Sequence, residues 1–383
     1  MYLSEKKYDV AVCGYLGVDL TPGFYETSGH QKSADVFKPG SLTEVKDLSI
    51  SLGGVVANTG LALKIFNQQV LLMGLVGRDH LGEIALNILR DNGLSEGIKT
   101  SDTSGTAYGI VLSPPGVDRI FFESAGCNRY FSFSDIDDNA VEESRIFHFG
   151  YPPLMKKFFD NNGEELVKMF SGVKTLDVIS SLDMTLPDPE SESGKVDWKS
   201  ILTSVLPYVD IFTPSIEEIV FMMKPEIYSQ ITKNIKDGDI TDSISDNVIH
   251  GIGRELINLG ACIVVIKAGK KGAYLYSGDI HALNDVPGIG LSEDQWNHRE
   301  LRSRAFQVDV AQVINASGAG DVAVAGFLTA LLKGHDPETA LKYSMCAGRN
   351  NLYGIHATDG LTDWENMTKE LSREQDIIVD FRN

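Results

Sequence analysis

The chain alternates between short apolar runs and amphipathic segments. Apolar runs bounded by glycine, proline or aspartate fall at 9–16, 69–76, 145–149, 177–182, 208–213 and 261–266. Runs of this kind are typical of strands that are buried on both faces. Between them, apolar residues recur at helical spacing, as at Leu81, Ile84, Ala85 and Ile88. The pattern therefore predicts an α/β fold with a mostly parallel central sheet flanked by helices.

Two polar stretches, at about 20–50 and 103–128, interrupt this rhythm. They contain glycine and serine, and apolar residues alternate with polar ones, as at Tyr108, Ile110 and Leu112. Such alternation is typical of strands with one exposed face, so we expect a small β-sheet inserted into the α/β core. Three further segments are rich in proline, serine, glycine and charge, and are predicted to be exposed loops or short helices: 186–195, 224–247 and 284–304.

Charge and composition narrow the classes of partner. Lys and Arg number 34 against 53 Asp and Glu, which gives a net charge of −19. A surface of that sign repels nucleic acid and anionic lipid, so we expect neither partner and disfavour a DNA-binding regulator. The longest apolar stretches fall far short of the roughly 20 residues that span a bilayer. The four cysteines are widely spaced, which predicts free thiols in a cytoplasmic protein.

The most informative segment is 315–321, with the sequence NASGAGD. It follows a strand-like stretch at 306–314 and precedes a predicted helix at 322–332. A small-residue turn at a helix N-terminus presents free N–H groups and the positive end of the helix dipole to an anion such as phosphate. Asp321 would then lie where a carboxylate can accept the proton of an attacking hydroxyl. The alternative is a tight turn in which Asp321 only caps the helix.

Together with other motifs, this segment resembles the ribokinase, or PfkB, family of carbohydrate and nucleoside kinases. The family's C-terminal signature is matched by NASGAGDVAVAG from position 315, and its N-terminal signature by GGVVAN from 53 and GLVGRDHLG from 74. Weaker similarities are CGYLGVD from 13, GCN from 126 and VIKAGKKGA from 265. The resemblance covers nearly the whole chain. It implies one ribokinase-like domain over 1–383, a three-layer sandwich with a small β-sheet lid, and a homodimer through that lid.

The activity that the resemblance implies is an ATP- and Mg²⁺-dependent kinase, a phosphotransferase acting on an alcohol group of a small sugar or sugar-like molecule. The expected catalytic groups are the general base Asp321 and an anion hole of backbone N–H groups at Gly318, Ala319 and Gly320. The substrate is expected to contact Asp19, Gly53, Gly54, Asn58 and Asn128. The nucleotide is expected to contact Lys267, Gly269, Gly272, Ala347 and Asn350. Metal placement is expected from Glu218 and Asn315, with a monovalent cation as an optional further cofactor.

Several residues have a plainer interpretation beside the functional one. Asn58 has the alternative role of a buried helix amide satisfied by the backbone, and the lysines at 267–271 that of a solvated basic turn. Asp79 is expected to cap the following helix rather than to contact substrate. His148 and Tyr151 follow a predicted strand at its carboxyl end, where substrate contacts are expected in open α/β sheets.

The sequence departs from the family pattern at two positions. Asn315 replaces the first aspartate of the family loop, and Ser215 replaces the asparagine of an Asn-x-x-Glu element that keeps its carboxylate at Glu218. Weaker metal affinity is the expected consequence, and both changes also fit a sugar- or nucleotide-binding sensor with little catalysis. Another alternative is a nucleoside kinase, favoured if an aromatic side chain of the lid stacks on a base. The candidates for that contact are Phe24, Tyr25 and Phe37.

Overall fold

The computed structural model describes residues 6–25, 39–40, 42–114, 120–235, 240–374 and 377–381. The strands there are β1 (Tyr8–Gly14), β2 (Gly17–Pro22), β3 (Leu48–Gly53), β4 (Val70–Gly77), β5 (Ile98–Ser101), β6 (Ala107–Leu112), β7 (Ile120–Ser124), β8 (Ser144–Gly150), β9 (Ile179–Leu182), β10 (Ile211–Phe212), β11 (Ile263–Lys267), β12 (Ala273–Ser277), β13 (Glu300–Ser303) and β14 (Ile378–Asp380). The α-helices there are Val55–Ile65, His80–Asp91, Asp138–Glu142, Lys156–Phe159, Glu164–Val173, Trp198–Val205, Ile216–Met223, Pro225–Asn234, Ile240–Ser243, Asp246–Asn258, Glu293–Trp296, Ala319–Leu332, Pro337–Asn351 and Trp364–Leu371.

The central layer is a ten-stranded sheet with the order β14-β13-β12-β11-β10-β9-β8-β1-β4-β5. Neighbours from β11 to β5 in that order pair in parallel, whereas β12, β13 and β14 are added antiparallel at one edge. Strand β1 has Val10 and Val12 in the core on one face and Ala11 and Cys13 in the core on the other. Successive strand residues point to opposite faces, so helices cover both sides. The predicted three-layer arrangement is confirmed.

A separate four-stranded sheet, the lid, has the order β3-β2-β6-β7. Directly opposed residues share a face. One row across the lid consists of Ser51, Asp19, Gly109 and Glu123, and the next row, on the opposite face, consists of Ile50, Leu20, Ile110 and Phe122. The lid therefore has one polar face and one apolar face, and the prediction of a small additional sheet is confirmed.

The helix His80–Asp91 shows how the lid is attached to the core. Asp79 caps it by accepting a 2.8 Å hydrogen bond from the Gly82 N–H at Oδ1. Its Oδ2 accepts a 2.7 Å bond from the Thr106 N–H, directly before β6. The same carboxylate thus fixes the helix start and the entry into a lid strand, as the predicted capping role requires.

Two predictions of local structure are wrong. The stretch 306–314 is not a strand, because the edge beside β13 is taken by β14; its alternating Phe306 and Val308 instead face a cavity. The segment 284–304 is not only a surface loop, because Trp296 is fully buried and β13 belongs to the main sheet. The segment 224–247 does contain the expected short helices.

Among the described residues, no helix is long and apolar enough to cross a membrane. All four cysteines are free thiols; three are buried and Cys262 is partly exposed.

Candidate active site

The turn before the helix Ala319–Leu332 has the geometry of an anion site. Gly318 is the N-cap residue and has φ 78°, in the left-handed region that favours glycine. A Cβ at Gly318 would lie 2.5 Å from the Cβ of Ala357. The turn is therefore closed around a residue that must be glycine, and the helix N-terminus opens toward the cavities described below.

Neighbouring side chains hold this turn in place. Asn351 donates 3.0 Å and 2.8 Å hydrogen bonds to the carbonyls of Ser317 and Ala357. Asn315 accepts a 2.9 Å bond from the Ser317 N–H and donates a 2.8 Å bond to the Ile355 carbonyl. The Asn315 amide therefore builds the loop, and it is not among the described residues that line the two main cavities.

Asp321 lies in the first turn of this helix and is only 3% exposed. Its Oδ2 accepts a 2.9 Å hydrogen bond from Asn58, and its Oδ1 accepts one from the hydroxyl of Tyr151. Burial, followed by the charge of Asp183, raises the pKa of Asp321 to about 6, although the two donors and Lys267 act in the opposite direction. Asp321 is thus a buried carboxylate that is ionised at neutral pH, as a general base must be.

A buried ion pair lies beside the turn. Lys267, at the end of β11, donates 2.7 Å and 2.8 Å hydrogen bonds to the two carboxylate oxygens of Asp183. Burial lowers the pKa of Lys267, but the Asp183 and Glu218 charges outweigh it, so the net pKa is raised. A Cβ at Gly320 would lie 3.5 Å from the Lys267 ammonium nitrogen. This positive charge therefore lies next to the anion turn.

Lys267 is consequently not part of a solvated basic turn. Lys270 pairs with Asp242 and Lys271 donates to the Ile244 carbonyl. Both of these lysines have protein partners, and Lys270 also lines the larger cavity described below.

Glu218 caps its own helix. Its Oε2 accepts a 2.6 Å hydrogen bond from the Ser215 N–H, and its own N–H donates a 3.4 Å bond to the Ser215 hydroxyl. This reciprocal arrangement is a capping box, for which serine is a favoured first residue. Burial raises the pKa of Glu218 to about 7, with a further contribution from the charge of Asp183. The replacement at Ser215 therefore has a structural account in the helix start.

Two cavities meet at Asp321. The larger, of about 810 Å³, is lined by Lys267, Gly269, Gly272, Phe306 and the last turns of the helix Pro337–Asn351, among other residues. The smaller, of about 280 Å³, lies between the polar face of the lid and the helix Val55–Ile65. Tyr151, Thr185, Gly318 and Asp321 line both. A group bound in one cavity can therefore meet a group bound in the other beside this carboxylate.

The smaller cavity is shaped by glycines around Asp19. A Cβ at Gly53 or Gly109 would lie 2.4 Å or 2.8 Å from a carboxylate oxygen of Asp19. Because Gly109 has no side chain, Glu123 faces Asp19 across it. Burial, with the Glu123 charge, raises the pKa of Asp19 to about 6. Phe121, from the same face of β7, completes the wall, so the cavity has hydrogen-bond acceptors and an aromatic surface.

The structure brings most of the sequence-predicted residues together. The two cavities are lined by Asp19, Gly53, Gly54, Asn58, Glu218, Lys267, Gly269, Gly272, Gly318, Ala319, Gly320 and Asp321. Four predicted residues are elsewhere. Asn128 is buried and donates to the Leu16 carbonyl at 2.8 Å, Ala347 is fully buried, Asn350 donates to Glu370 at 2.9 Å, and Asn315 is in the loop. In the helix Pro337–Asn351, the larger cavity is lined not by Ala347 and Asn350 but by the adjacent face of the helix, through Met345, Gly348 and Arg349.

Sequence reasoning missed Asp183, Gly109, Phe121 and Glu123. Asp183 directly follows β9, so the rule that ligands bind at carboxyl ends of parallel strands was a usable signal. The lid residues carry no motif, and only the register between strands shows which of them share a face. The prediction that His148 and Tyr151 both follow the strand is right only for Tyr151, which comes directly after β8 and lines both cavities. His148 lies within β8 and is buried, with its Nδ1 2.9 Å from the Ser181 hydroxyl.

The candidates for base stacking can be placed only in part. Phe24 and Tyr25 are not among the described residues that line the smaller cavity. Phe37 lies outside the described residues.

Comparison with known proteins assigns the family. The sequence profile described as "pfkB family carbohydrate kinase" matches residues 25–349. The chain belongs to this family of carbohydrate kinases, which confirms the resemblance and, at the level of the family, the phosphotransferase class.

Individual relatives are distant. A probable chloroplastic fructokinase-6 of Arabidopsis thaliana is 25% identical over 76% of the chain, and the match covers 65% of that relative's own length. An ATP-dependent 6-phosphofructokinase of Thermoanaerobacterium thermosaccharolyticum is 22% identical, with 94% of this chain and 92% of the relative covered. A ribokinase of Arabidopsis thaliana, solved with ribose and ATP, has a TM-score of 0.69 at 17% identity, with 96% of this chain and 99% of that chain covered. The ribokinase fold is thereby confirmed.

Proposed function

We propose that this protein transfers the γ-phosphoryl group of ATP to a hydroxyl group of a monosaccharide-sized sugar or polyol. The observation that carries the proposal is the meeting of two cavities at Asp321, beside a helix N-terminus and a buried lysine. The larger cavity is within the range typical of small-molecule sites and suits a nucleotide, and the smaller one suits one sugar unit. Relatives whose names include ATP support the choice of nucleotide.

The transfer can be written with the chain's own groups. The acceptor hydroxyl oxygen attacks the γ-phosphorus, and a new O–P bond forms. The bond from that phosphorus to the bridging oxygen breaks, and its electron pair stays on ADP. The acceptor proton goes to the carboxylate of Asp321 and later to solvent. Backbone N–H groups at Gly318 and Gly320 and the ammonium of Lys267 oppose the charge on the transferred group, where positioning and electrostatics supply most of the catalysis. The third predicted donor, the Ala319 N–H, makes a 3.3 Å hydrogen bond to the Ala316 carbonyl instead.

A divalent cation is compatible with the larger cavity. Among the described residues, no cluster of three or more metal-ligating side chains is present. Mg²⁺ usually keeps several waters and takes only one or two protein carboxylates besides the phosphates, so Glu218 alone would suffice as a protein contact. When bound, the cation would neutralise charge on the phosphates. The role of Asn315 in metal placement stays a prediction, because the two bonds described above join its amide to the Ser317 N–H and the Ile355 carbonyl.

The acceptor is recognised, in this proposal, by Asp19, Asn58 and Glu123. Carboxylate oxygens accept hydrogen bonds from sugar hydroxyls, and the Asn58 amide both donates and accepts. Phe121 is 55% exposed, and its ring offers an apolar surface to the carbon face of a sugar. The same ring is the observation that keeps a nucleoside acceptor as the second candidate, since a base can stack on it.

The test is ATP consumption by the purified full chain with Mg²⁺ against a panel of neutral sugars, polyols, sugar acids and nucleosides. The phosphate ester is identified by phosphorus NMR and mass spectrometry. We expect turnover with one chemical class and loss of about 10² to 10⁴-fold in Asp321→Asn. Saturable binding of ATP and acceptor without ester formation anywhere in the panel would instead support the sensor.

We propose a homodimer in which a second copy covers the apolar face of the lid. The supporting observation is a row of apolar side chains across that face, with Phe122 51% and Ile50 38% exposed. The free thiols support a reducing compartment such as the cytoplasm.

A further inference from the structure

Tyr151 occupies the point where the two cavities join, and no motif of the sequence marks it. It follows β8 directly and lines both cavities. Its hydroxyl donates a hydrogen bond to Oδ1 of Asp321, while Asn58 donates to Oδ2. Both oxygens of the carboxylate therefore already accept a hydrogen bond from a neutral donor. A carboxylate oxygen has two lone pairs, so each still has capacity for one further proton donor.

The backbone around Tyr151 is fixed by its neighbours. Gly150 pairs with Gly14 at the ends of β8 and β1, and its carbonyl accepts a 2.8 Å bond from the Tyr15 N–H. A Cβ at Gly14 would lie 1.7 Å from the Gly150 carbonyl oxygen, so this close approach requires glycine. The prolines at 152–153 restrict the chain on the other side. The backbone that carries Tyr151 is therefore held in place, and its hydroxyl reaches Asp321 from a fixed attachment point.

We propose that Tyr151 is a positioning residue for Asp321, whose hydroxyl orients the carboxylate toward the acceptor and favours its ionised form. This inference rests on the proposed function, because it gives Tyr151 a task only if Asp321 is the base. The Tyr151 ring lies where the two cavities join. Its hydrogen bond turns the remaining lone pairs of the Asp321 carboxylate toward the acceptor hydroxyl.

The charges around Tyr151 and Asp321 determine in which direction the pKa of Asp321 should change when the Tyr151 hydroxyl is removed. Asp183 raises the pKa of Asp321, whereas Lys267 and the hydrogen bonds from Tyr151 and Asn58 lower it. Glu218 is a further acidic group near Tyr151. The Tyr151 phenol stays protonated, because burial and the Asp321 charge raise its pKa well above the ordinary value. Removing the hydroxyl leaves Asp183 unchanged and takes away one stabilising donor, so the pKa of Asp321 rises.

The experiment is the pH profile of kcat/KM for Tyr151→Phe and the wild type, with the acceptor found in the panel. The rate falls as pH decreases through the pKa of the base, near 6 in the wild type. We expect this acid limb to move upward by about one pH unit in Tyr151→Phe, since a hydrogen bond to a charged group contributes somewhat more than one tenfold step. We expect the KM for ATP to stay within about twofold.

Tyr276→Phe is the matched control. Tyr276 is a buried tyrosine on β12 that lines neither of the two cavities, and its hydroxyl lies 2.8 Å from Nδ1 of His250. The Tyr276→Phe variant also loses one hydrogen bond of a buried hydroxyl, yet the acid limb of its pH profile should coincide with that of the wild type.

A second measurement covers the case in which Tyr151→Phe does not fold. Fluorotyrosine placed at position 151 keeps the shape and donates more strongly, so the acid limb should move to lower pH. A folded Tyr151→Phe whose acid limb is unmoved, or a fluorotyrosine form without any displacement, overturns the inference while leaving the kinase intact. Absence of turnover in the wild type with every acceptor refutes the proposed function itself.

Discussion

Replacing Asp321 should make the protein both inactive and more stable, because the carboxylate of this proposed base is buried beside another acidic group. Its pKa is raised from 3.8 to about 6 by burial and by Asp183. A raised carboxyl pKa means that the unfolded chain ionises first as pH rises. The folded state is therefore penalised progressively between about pH 4 and pH 6, and fully above that range. With about 1.36 kcal/mol per pKa unit, the penalty at pH 8 is about 3 kcal/mol.

Asp321→Asn keeps the size of the side chain and removes the charge, so the variant should recover most of that free energy. The assay is thermal unfolding of wild type and variant at about pH 8 and about pH 4.5, at one scan rate. We expect the variant to melt several degrees higher at pH 8. At pH 4.5 the difference in unfolding free energy should shrink to about 1 kcal/mol, because the folded wild type is then mostly protonated.

Asp47→Asn is the matched control, since it removes the charge of an exposed aspartate. Its melting temperature should stay close to that of the wild type at both values of pH. An Asp321→Asn variant that is no more stable than this control at pH 8, or whose advantage is the same at both values of pH, would show that the carboxylate is not penalised by burial. The proposed base would then be held at no cost to folding, contrary to the usual trade-off between activity and stability.

Three further predictions concern the ion pair, the acceptor cavity and the lid. Lys267→Met leaves Asp183 buried without its partner, so we expect the free energy of unfolding to fall by about 3 to 5 kcal/mol. Adding Asp183→Asn should restore most of that stability, whereas turnover should stay low in the double variant. Recovery of activity in the double variant would exclude Lys267 from the transfer. Gly53→Ala places a methyl group against the Asp19 carboxylate and should raise the KM for the acceptor at least about tenfold, with the KM for ATP unchanged. The control is Gly251→Ala, whose Cβ would have no atom within 4 Å. This control should match the wild type in both KM values. Phe122→Glu should convert the proposed dimer to a monomer in light scattering, and an unchanged mass, whether monomeric or dimeric, would argue against the lid as the interface.

Much of the architecture could be predicted from the sequence, because buried parallel strands are continuous apolar runs that need no knowledge of the partner strand. The stretch 306–314 shows the limit. Its alternation is real, but one face of it lines a cavity rather than a sheet, and periodicity does not distinguish the two surroundings. Strand β10 is likewise only Ile211–Phe212, although the apolar run around it is longer.

The candidate site also consists of residues that the sequence predicts and residues that it does not. The anion turn and its Asp321 are contiguous in the chain, so a motif finds them. Glu123 reaches Asp19 only through the pairing of β2, β6 and β7, and Tyr151 reaches Asp321 from 170 positions away. Contacts of that kind depend on register and topology, which a single sequence does not encode locally. The same reason explains why the helix Pro337–Asn351 lines the larger cavity through Met345, Gly348 and Arg349 and not through Ala347 and Asn350.

The two faces of the lid have a consequence for regulation. Neighbouring residues of the same strand, such as Asp19 and Leu20, point to opposite sides, one toward the smaller cavity and the other toward the apolar surface. A partner that orders the apolar side would also order the side that faces the proposed acceptor, so assembly and acceptor affinity would be thermodynamically linked. If a second copy is that partner, the apparent acceptor affinity should increase with protein concentration. Dilution alone would then act as an inhibitor.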